Sequence, residues 1–392
     1  MKEIKCDVLV VGGGPAGSSA ARSAALNGLK IIQIEKKEEI GIDVKCGEGI
    51  GEYLIPFLPF EIPKEQLIWK IDGMFFWTDD IIIEKKGKLW NAYSINRSKF
   101  DKWLSDLALG NGVELLLNTE LIDLELNEEN KVKKAILKRK EKLFEISPKT
   151  IIAADGSEST VLKLLDLYNP KIGDLAEVYS WELKNLDLYK PHFEQIFTGD
   201  FTPSGYAYIF PKGKDVANVG IGGIFQERKM ETYFEKFLEI DQVKKQVKNA
   251  EKVIEKSKKA VWNNLSDKWI YGNVILAGDV ANQNLKPFIE GILPSIICGD
   301  IAGKIAFEML IKNNVDNEQY QNEVQRILGT YFITSKEMQE SITYLFSKKD
   351  KEKYLQFFGM VTELFKAEEM KETENMNYDE LKSMLLKLKN EL

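Results

Sequence analysis

The first fifty residues alternate between apolar runs and glycine-rich turns. The apolar run at residues 6–11 predicts a buried strand, the glycines after it predict a tight turn into a helix at 18–27, and an apolar run at 29–34 predicts the next strand. Strand, turn, helix and strand in this order are typical of a parallel sheet covered by helices. We therefore expect an α/β fold.

The alternation of predicted strands and helices continues up to residue 174. Short β-like pieces at 67–90, with Lys86 and Gly87 in a turn, form a hairpin or edge strands and precede a helix that begins at Arg97 and ends at the glycines of 110–112. Further strands are predicted at 114–117, 121–126, 132–138 and 143–146. A buried strand then leads into Asp155 and Gly156.

Residues 175–270 lose this alternation and gain aromatic side chains, which predicts a mixed or antiparallel sheet. Two of its strands, joined at 212–214, place Tyr206, Tyr208 and Phe210 on one face, because side chains along a strand alternate with period two. The stripe fits either plain core or the wall of a site. Charged helices at 230–259 are predicted to cover this sheet.

The strand–helix alternation seen at the start of the chain returns with a strand at 273–277 and a helix at about 291–310. Residues 317–392 are helical by pattern and carry apolar stripes of helical period at 354–365 and 378–388. We interpret the stripes as packing faces, with contact to a membrane surface and self-association as the alternatives.

These patterns predict three domains. A Rossmann-type domain is assigned to residues 1–65, 91–174 and 270–316, an inserted mixed or antiparallel β-sheet domain to 66–90 and 175–269, and a helical C-terminal region to 317–392.

Composition and charge exclude some functions. The 392 residues carry a net charge of -7, which argues against a nucleic-acid partner because phosphate binding needs clustered positive charge. The three cysteines, Cys6, Cys46 and Cys298, are widely spaced and form no CxxC, so we expect no disulfide framework, zinc site or iron–sulfur cluster. No apolar run is long enough to span a bilayer. We expect a cytoplasmic protein, with peripheral membrane contact left open.

Gly12, Gly14 and Gly17 form a GxGxxG pattern between the first strand and its helix. Gly12 permits the turn, Gly14 lets the backbone approach a pyrophosphate, and Gly17 allows the helix to pack closely on the sheet. The N-terminus of the helix offers N–H groups to the phosphates. Glu35, at the end of the second strand, is suited to accept hydrogen bonds from both ribose hydroxyls. The pattern predicts an adenosine nucleotide site.

A glycine-flanked cysteine follows in the run KCGEGIG, with glycines at 47, 49 and 51 around Cys46. Glycines in this density suggest a loop that lies against something flat or bulky, because side chains would hold the backbone away. A lone cysteine is more often a small buried hydrophobe than a reactive group.

Four separated elements together resemble the FAD-dependent reductases and monooxygenases of the para-hydroxybenzoate hydroxylase-like fold. They are the glycine turn with Glu35; the run Arg97, Phe100, Asp101 and Leu104, similar to RxxFDxxL; Ala154, Asp155, Gly156 and Ser159, similar to ADGxxS; and the pair Gly278 and Asp279, similar to the GD element. The resemblance covers about 300 residues. It implies that the nucleotide is FAD.

Within that group the chain resembles the geranylgeranyl reductase family, especially archaeal enzymes that saturate isoprenoid lipids. KCGEGI is similar to the family's cysteine loop, and Pro203, Tyr206, Phe210 and Pro211 match its PxxYxWxFP pattern. Tyr208 stands where that pattern has tryptophan. The run PFIEGI at 287–292 replaces Pro-x-x-Gly-x-Gly-Ile, and residues 280–283 are more polar than usual.

The resemblance implies a reductase in which reduced flavin delivers hydride from its N5 atom to a prenyl double bond, with a nearby thiol or tyrosine as proton source or relay. Cys46 and Tyr206 are the implied catalytic residues. The implied FAD contacts are Gly12, Gly14, Pro15, Ala16, Gly17, Glu35, Lys36, Cys46, Gly47, Arg97, Asp155, Gly156, Gly278, Asp279, Gly291 and Ile292. The implied prenyl contacts are Gly49, Pro203, Tyr206, Tyr208, Phe210 and Pro211.

Several points stay open at this stage. The electron donor is ferredoxin, a nicotinamide or another reduced carrier, because only one dinucleotide fingerprint is present; the glycines at 220–223 fit close backbone packing in a strand. An FAD-dependent monooxygenase and a non-catalytic flavin- or isoprenoid-binding paralogue are the alternatives. The single histidine, His192, is expected to have a packing or surface role.

Overall fold

The computed structural model describes residues 4–312, 315–348, 350–365, 373 and 375–391. The strands are β1 (Ile4–Val11), β2 (Ile31–Ile34), β3 (Gly49–Gly51), β4 (Trp69–Ile71), β5 (Gly73–Thr78), β6 (Ile81–Lys86), β7 (Ala92–Ser94), β8 (Glu114–Leu116), β9 (Thr119–Leu126), β10 (Val132–Arg139), β11 (Lys142–Ala153), β12 (Leu175–Lys184), β13 (Phe193–Thr198), β14 (Gly205–Pro211), β15 (Val216–Gly223), β16 (Glu251–Val261), β17 (Ile270–Tyr271) and β18 (Val274–Leu276). The helices are α1 (Pro15–Leu26), α2 (Arg97–Leu109), α3 (Thr160–Leu164), α4 (Met230–Leu238), α5 (Asp241–Val247), α6 (Ile292–Lys312), α7 (Asn317–Ser347), α8 (Glu352–Val361) and α9 (Tyr378–Asn390).

The first sheet is mainly parallel and has the order β17-β18-β11-β1-β2-β8. The four pairings from β18 to β8 are parallel, whereas β17 and the β9–β10 extension of β11 are antiparallel. Its central strands are buried on both faces, which explains their continuous apolar sequences. The mixed α/β fold expected from the alternation of strands and helices is confirmed.

Helices α1 and α6 pack closely on one face of this sheet. The hydroxyl of Ser19 donates to the Ile296 carbonyl at 2.6 Å, and that of Ser23 donates to the Asp300 carbonyl at 2.7 Å. A Cβ on Gly303 would lie 2.6 Å from the carbonyl oxygen of Ala20, so only glycine lets the helices approach this far. The contact fixes the start of α1, where the glycine turn ends, against the start of α6.

The second sheet has the order β16-β12-β15-β14-β13-β5-β6 and is antiparallel except between β13 and β5. Helices α4 and α5 cover one face through Met230, Phe234, Phe237 and Val243. The prediction of helices up to residue 259 is wrong at its C-terminal end, because 251–261 form the edge strand β16 paired with β12. The lysines and glutamates of this strand point largely to solvent, which removes the apolar period that would identify it.

The piece from 67 to 90 also differs from its prediction. β5 and β6 form a hairpin that turns at Asp79 and Asp80, while Lys86 still belongs to β6 and Gly87 bends the chain after it. β6 is an edge strand, as expected for one of the two readings of this segment. β4 lies elsewhere, in a three-stranded sheet of order β3-β7-β4. The domain boundaries stay a prediction.

The C-terminal helices pack against the other face of the second sheet. Tyr354, Phe357, Phe358, Val361 and Phe365 are all buried in this contact, so the interpretation of the first stripe as a packing face is confirmed. Residues 349, 366–372, 374 and 392 of the predicted helical region lie outside the described residues. Within the described ranges, no helix has the length and hydrophobicity needed to cross a membrane.

Candidate active site

The glycine turn has the shape that the sequence predicts for a nucleotide site. Gly12 has a φ of +111°, and a Cβ there would lie 2.3 Å from the carbonyl oxygen of Ala154. Gly14 is the N-cap of α1 and makes no side-chain cap, and a Cβ on it would meet no protein atom within 4 Å. The space beside Gly14 at the start of α1 is therefore open, which suits a phosphate.

Glu35 holds this turn from the end of β2. Its Oε2 accepts a hydrogen bond from the Gly13 N–H at 2.7 Å, and its Oε1 accepts one from the Lys37 N–H at 3.1 Å. Each carboxylate oxygen has two acceptor positions, so both retain capacity for a ribose hydroxyl. Lys36 lies exposed on the loop after β2.

A cavity of about 580 Å³ begins beside this turn and runs between the two large sheets. It brings together nine of the predicted site residues from separate parts of the chain. They are Pro15, Cys46, Gly47, Gly49, Arg97, Phe210, Asp279, Gly291 and Ile292. A second cavity of about 130 Å³ shares Cys46, Gly47 and Phe210 in its wall and adds Tyr206 and Tyr208.

The remaining predicted residues do not line either cavity. They are Gly12, Gly14, Ala16, Gly17, Glu35, Lys36, Asp155, Gly156, Gly278, Pro203 and Pro211. Several of them shape the backbone instead: Pro203 packs its carbonyl over Gly223, and the Pro211 carbonyl accepts a hydrogen bond from Ser94. Asp155 Oδ2 accepts from the Val161 N–H at 3.0 Å. Its buried Oδ1 has no hydrogen-bond partner among the described residues, which leaves an acceptor for a ligand donor.

Arg97 lies at the N-terminus of α2 and beside the cysteine loop. Its guanidinium binds both carboxylate oxygens of Asp101, at 2.7 and 2.8 Å. Burial opposes its charge, but Asp101 and the neighbouring Cys46 thiol together raise the pKa of Arg97. The sulfur of Cys46 accepts the Glu48 N–H at 3.3 Å. The motif residue Arg97 and the loop residue Cys46 are thus in electrostatic contact.

A buried ion cluster holds the cysteine loop against the second sheet. Glu48 Oε2 accepts from Lys212 Nζ at 2.6 Å and from Asn218 Nδ2 at 3.0 Å, and lies 3.4 Å from Lys256 Nζ. Lys212 Nζ also donates to Glu182 at 2.7 Å. The other oxygen of Glu48 accepts the backbone N–H of Arg97 at 2.9 Å. One side chain of the loop therefore contacts β15, β16, α2 and the turn after β14, and Lys212 extends the cluster to Glu182 of β12.

The surroundings of Glu48 and Lys212 favour the ionised form of both side chains. Burial acts to raise the pKa of Glu48, but the charges of Lys256 and Lys212 hold that pKa below its ordinary value. Burial acts to lower the pKa of Lys212, but Glu48 and Glu182 raise it. The stabilisation from Glu48 is present above the ordinary carboxyl pKa and is lost as pH falls through the lowered pKa; that from Lys212 is present below the ordinary lysine pKa and is lost as pH rises.

The run PFIEGI forms a tight loop in which Leu285 and Glu290 pair with each other. Glu290 reaches the cysteine loop, where its carboxylate accepts the Gly51 N–H at 2.7 Å and the Tyr53 hydroxyl at 2.7 Å. The departure from the family pattern therefore adds an anchor between two loops. The polar run before it is also used: Gln283 is fully buried and accepts the Gly278 N–H at 2.7 Å, which holds the GD turn.

The aromatic stripe forms a wall between the two cavities. The rings of Tyr208 and Phe210 stack with centroids 4.4 Å apart, and the Tyr206 hydroxyl donates to the Phe288 carbonyl at 3.1 Å. A Cβ on Gly220 would lie 2.4 Å from the Tyr208 ring, so this glycine makes room for the stripe. The far end of the smaller cavity is apolar and is lined by Ala176, Ile224, Ala260, Trp262, Ile342, Phe346 and Phe357.

Four buried ionisable residues in the larger cavity were missed by the sequence analysis: Glu48, Glu194, Lys286 and Glu290. Burial lowers the pKa of Lys286 to about 7, and its Nζ donates to Asn282 and Asn284 at 2.6 Å each. Burial, with the nearby charge of Glu290, raises the pKa of Glu194 to about 8. The only sequence signal that could have found one of these residues is the acidic side chain of Glu194 in the run FEQIF at 193–197.

His192 has the packing role that the sequence predicts. Its ring stacks on Trp69 with centroids 4.4 Å apart, and its Nδ1 lies 2.8 Å from the Lys70 carbonyl oxygen. It does not line either cavity.

Two family models and several curated relatives match this chain. The family model described as FAD dependent oxidoreductase matches residues 7–162, and the model described as geranylgeranyl reductase catalytic domain matches residues 174–261. A digeranylgeranylglycerophospholipid reductase from Methanococcus aeolicus is 32% identical over 325 residues, which cover 81% of this chain and 81% of that protein. The protein of the same name from Methanosarcina acetivorans is 32% identical over 339 residues, covering 83% and 81%.

Solved structures share the fold. A geranylgeranyl bacteriochlorophyll reductase-like protein from Thermoplasma acidophilum superposes with a TM-score of 0.81 at 24% identity, over 99% of this chain and all of that chain. A flavin-dependent brominase superposes with a TM-score of 0.70 at 16% identity, over 98% and 95% of the two chains.

Lys212→Met tests the contribution of the ion cluster. The substitution leaves the buried carboxylate of Glu48 and the partly exposed carboxylate of Glu182 with Lys256 as their remaining cation, and we expect the free energy of unfolding to fall by roughly 3–5 kcal/mol. Urea unfolding at neutral pH measures this change.

Lys184→Met is the matched control. Lys184 pairs with Glu251 on the surface of the same sheet, so its loss should cost less than about 1 kcal/mol. Equal effects of the two substitutions would mean that the buried cluster does not stabilise the fold.

Proposed function

The chain belongs to the geranylgeranyl reductase family of FAD-dependent oxidoreductases, and from this premise we propose that it saturates carbon–carbon double bonds of geranylgeranyl chains in archaeal-type membrane-lipid precursors. The observation that carries the proposal is the pair of adjoining cavities, one beginning at the glycine turn and one lined by aromatic and aliphatic side chains. Their shared wall contains Cys46 and Phe210. A nucleotide cradle and an apolar channel thus meet at one loop.

The residues present fit FAD. We propose that the open N-terminus of α1 takes the pyrophosphate, that Glu35 takes the adenosine ribose, and that Arg97 and Asp279 contact the cofactor inside the larger cavity. The buried Asp155 Oδ1 supplies a further acceptor. Bound and reduced, FAD supplies hydride from its N5 atom. The cysteine loop would lie along the ring, because Cys46 and Gly47 border both cavities.

The smaller cavity suits the distal part of a prenyl chain. Lys45, Lys256 and Lys258 line part of this cavity, but most of its lining is apolar. An isoprenoid tail gains by leaving water for such a surface, whereas a phosphate or glycerol headgroup would lose its hydration. We therefore propose that the tail enters first and the headgroup stays at the mouth of the larger cavity. Tyr208 and Phe210 form the wall along which the chain passes.

We assign Cys46 and Tyr206 to the reacting region. Cys46 borders both cavities, and Tyr206 secures the loop at Phe288 through its hydroxyl. Electrons come from a reduced carrier, which we propose is ferredoxin, a nicotinamide or a similar donor. Because the substrate class is a membrane lipid, the proposal includes peripheral contact with the membrane surface.

The proposed function is tested by anaerobic incubation of dithionite-reduced protein with geranylgeranyl lipids, followed by mass spectrometry. We expect products that gain two hydrogens for each double bond reduced. Bound FAD without any mass gain on a panel of prenyl substrates would contradict the proposal and favour a binding protein. An oxygen-dependent gain of one oxygen atom would favour a monooxygenase.

Substitution of Cys46 tests its assignment. Cys46→Ala and Cys46→Ser should both reduce turnover about 10-fold or more, because the thiol lies at the junction where the alkene must meet the flavin. The assay uses reduced protein of equal FAD content under anaerobic conditions. The control is Cys298→Ala, a change at a buried cysteine outside both cavities, which should leave turnover near that of the wild type. Unchanged turnover in both Cys46 variants would remove Cys46 from the mechanism.

Ala260→Phe should shorten the channel. Ala260 lines the smaller cavity and is 3% exposed, so a phenyl group there occupies space proposed for the distal tail. Double bonds nearest the headgroup need the deepest insertion and should remain unreduced, whereas geranyl-length substrates should be reduced at the wild-type rate. Product mass and fragmentation report which bonds remain. Complete saturation of the full chain would contradict the proposed direction of entry.

A further inference from the structure

Glu194 occupies an unusual position on the cavity face of the second sheet. In the parallel pairing of β13 with β5 it is opposite Met74, which also lines the larger cavity. Ile196, which lies two residues further along β13, is opposite Tyr208 of β14. Since alternate residues of a strand share a face, Glu194 lies on the same side of the sheet as the aromatic stripe. It is 6% exposed and lines the larger cavity.

The carboxyl group of Glu194 has no hydrogen-bond or ion-pair partner within the part of the chain that the structure describes. Its neighbours differ in this respect: Glu48 is bound by Lys212 and Lys256, and Glu290 accepts hydrogen bonds from Gly51 and Tyr53. Hydrogen bonds and cations favour the ionised form of a carboxyl group, and Glu194 has neither. Among these three acids it is the one suited to hold a proton.

The surroundings of Glu194 reinforce this difference. Burial is the main cause that raises the pKa of Glu194, and the negative charge of Glu290 adds to it, which brings that pKa to about 8. Two tyrosines, Tyr206 and Tyr208, lie on the same face of the sheet. The other ionisable groups that line the larger cavity are Lys45, Cys46, Glu48, Tyr53, Arg97, Lys258, Asp279, Lys286, Glu290, Tyr331 and Glu363. Of the buried cations, Lys212 and Lys256 are engaged by Glu48, and Lys286 Nζ donates to Asn282 and Asn284. At neutral pH the carboxyl group therefore carries its proton.

The position of the group places that proton beside the cysteine loop. Glu194 Oε1 lies 2.8 Å from the point that a Cβ of residue 49 would occupy, so the absence of a side chain at Gly49 leaves room for the carboxyl. Gly49 and Cys46 line the same cavity. Tyr206 is a weaker acid, because burial raises its pKa further and its hydroxyl donates to Phe288.

We propose that Glu194 is the proton donor of the reduction, its uncharged carboxyl group protonating the prenyl double bond from the cavity wall. The inference rests on the proposed function. The π-electron pair of the alkene forms a C–H bond with the Glu194 proton, the O–H electron pair stays on the carboxylate, and hydride with its electron pair adds to the other alkene carbon. The reductant is the reduced flavin that the function requires, and water restores the proton to Glu194 before the next turnover.

Glu290 has a positioning role in this scheme. Its charge lies close enough to raise the pKa of Glu194. Burial raises the pKa of Glu290 itself, and the hydrogen bonds from Tyr53 and Gly51 oppose that shift. Removing that charge should therefore lower the pKa of Glu194 and move the alkaline limit of turnover to lower pH.

The test compares the wild type with Glu194→Gln, Glu290→Gln and Glu255→Gln. Glu194→Gln keeps the shape of the side chain but cannot act as an acid, and turnover should fall about 100-fold or more with FAD content unchanged. Wild-type turnover should decline above about pH 8, and Glu290→Gln should shift that decline to lower pH. Glu255→Gln, at an exposed position on β16 of the same sheet, should behave as the wild type.

A readout independent of turnover is the infrared absorption of the carboxylic acid C=O bond. The wild type without substrate should lose one such band as the pH rises through about 8, and Glu194→Gln should lack it. This measurement holds even if a variant binds less FAD.

The outcomes separate the inference from the proposed function. Wild-type turnover with an equally active Glu194→Gln, or a wild type without the titrating band, would overturn the role of Glu194 and leave the reductase assignment standing. A wild type that reduces no prenyl substrate would overturn the proposed function and this inference with it.

Discussion

The geometry of the site depends on one buried ion cluster. Glu48 belongs to the cysteine loop and is held by Lys212, just after β14, and by Lys256 of β16, while its other oxygen accepts a hydrogen bond from the N-terminus of α2. Without this cluster, nothing comparable in the described contacts would fix the position of Cys46 between the two cavities. Buried charges are costly unless their partners are well placed, so the cluster also favours one arrangement of the two sheets over alternatives. The packing of α1 on α6 positions the glycine turn, and the ion cluster positions the cysteine loop.

Three glutamates in one region show how environment assigns different chemistry to the same side chain. Glu48 is surrounded by cations and stays ionised, Glu290 accepts two hydrogen bonds and ties two loops together, and Glu194 faces the cavity without a partner in the described structure. When different environments give chemically identical groups different pKa values, those groups can take separate roles as acid, base or structural anchor. The shortened loop at 287–292 contributes Glu290 to this group of acids.

The sequence predicted the parts of the molecule that are encoded locally. The glycine turn, the helix at Arg97 and the buried stripe at 354–365 each depend on residues close together in the chain, and their local patterns follow directly from backbone geometry. The ion cluster could not be predicted in this way, since Glu48 and Lys256 are 208 residues apart. The strand at 251–261 was mistaken for helix because its edge position permits charged residues on most of its length. The assigned roles of the cofactor and substrate residues remain proposals.

The apolar end of the smaller cavity is built partly from the last quarter of the chain. Ile342 and Phe346 belong to α7 and Phe357 belongs to α8, whereas the nucleotide turn and the cysteine loop lie within the first fifty residues. The residues proposed to limit the length of the bound prenyl chain are therefore distant in sequence from the residues proposed to contact the flavin. We therefore expect exchanges in these two helices to change the preferred chain length without altering the glycine turn or the cysteine loop.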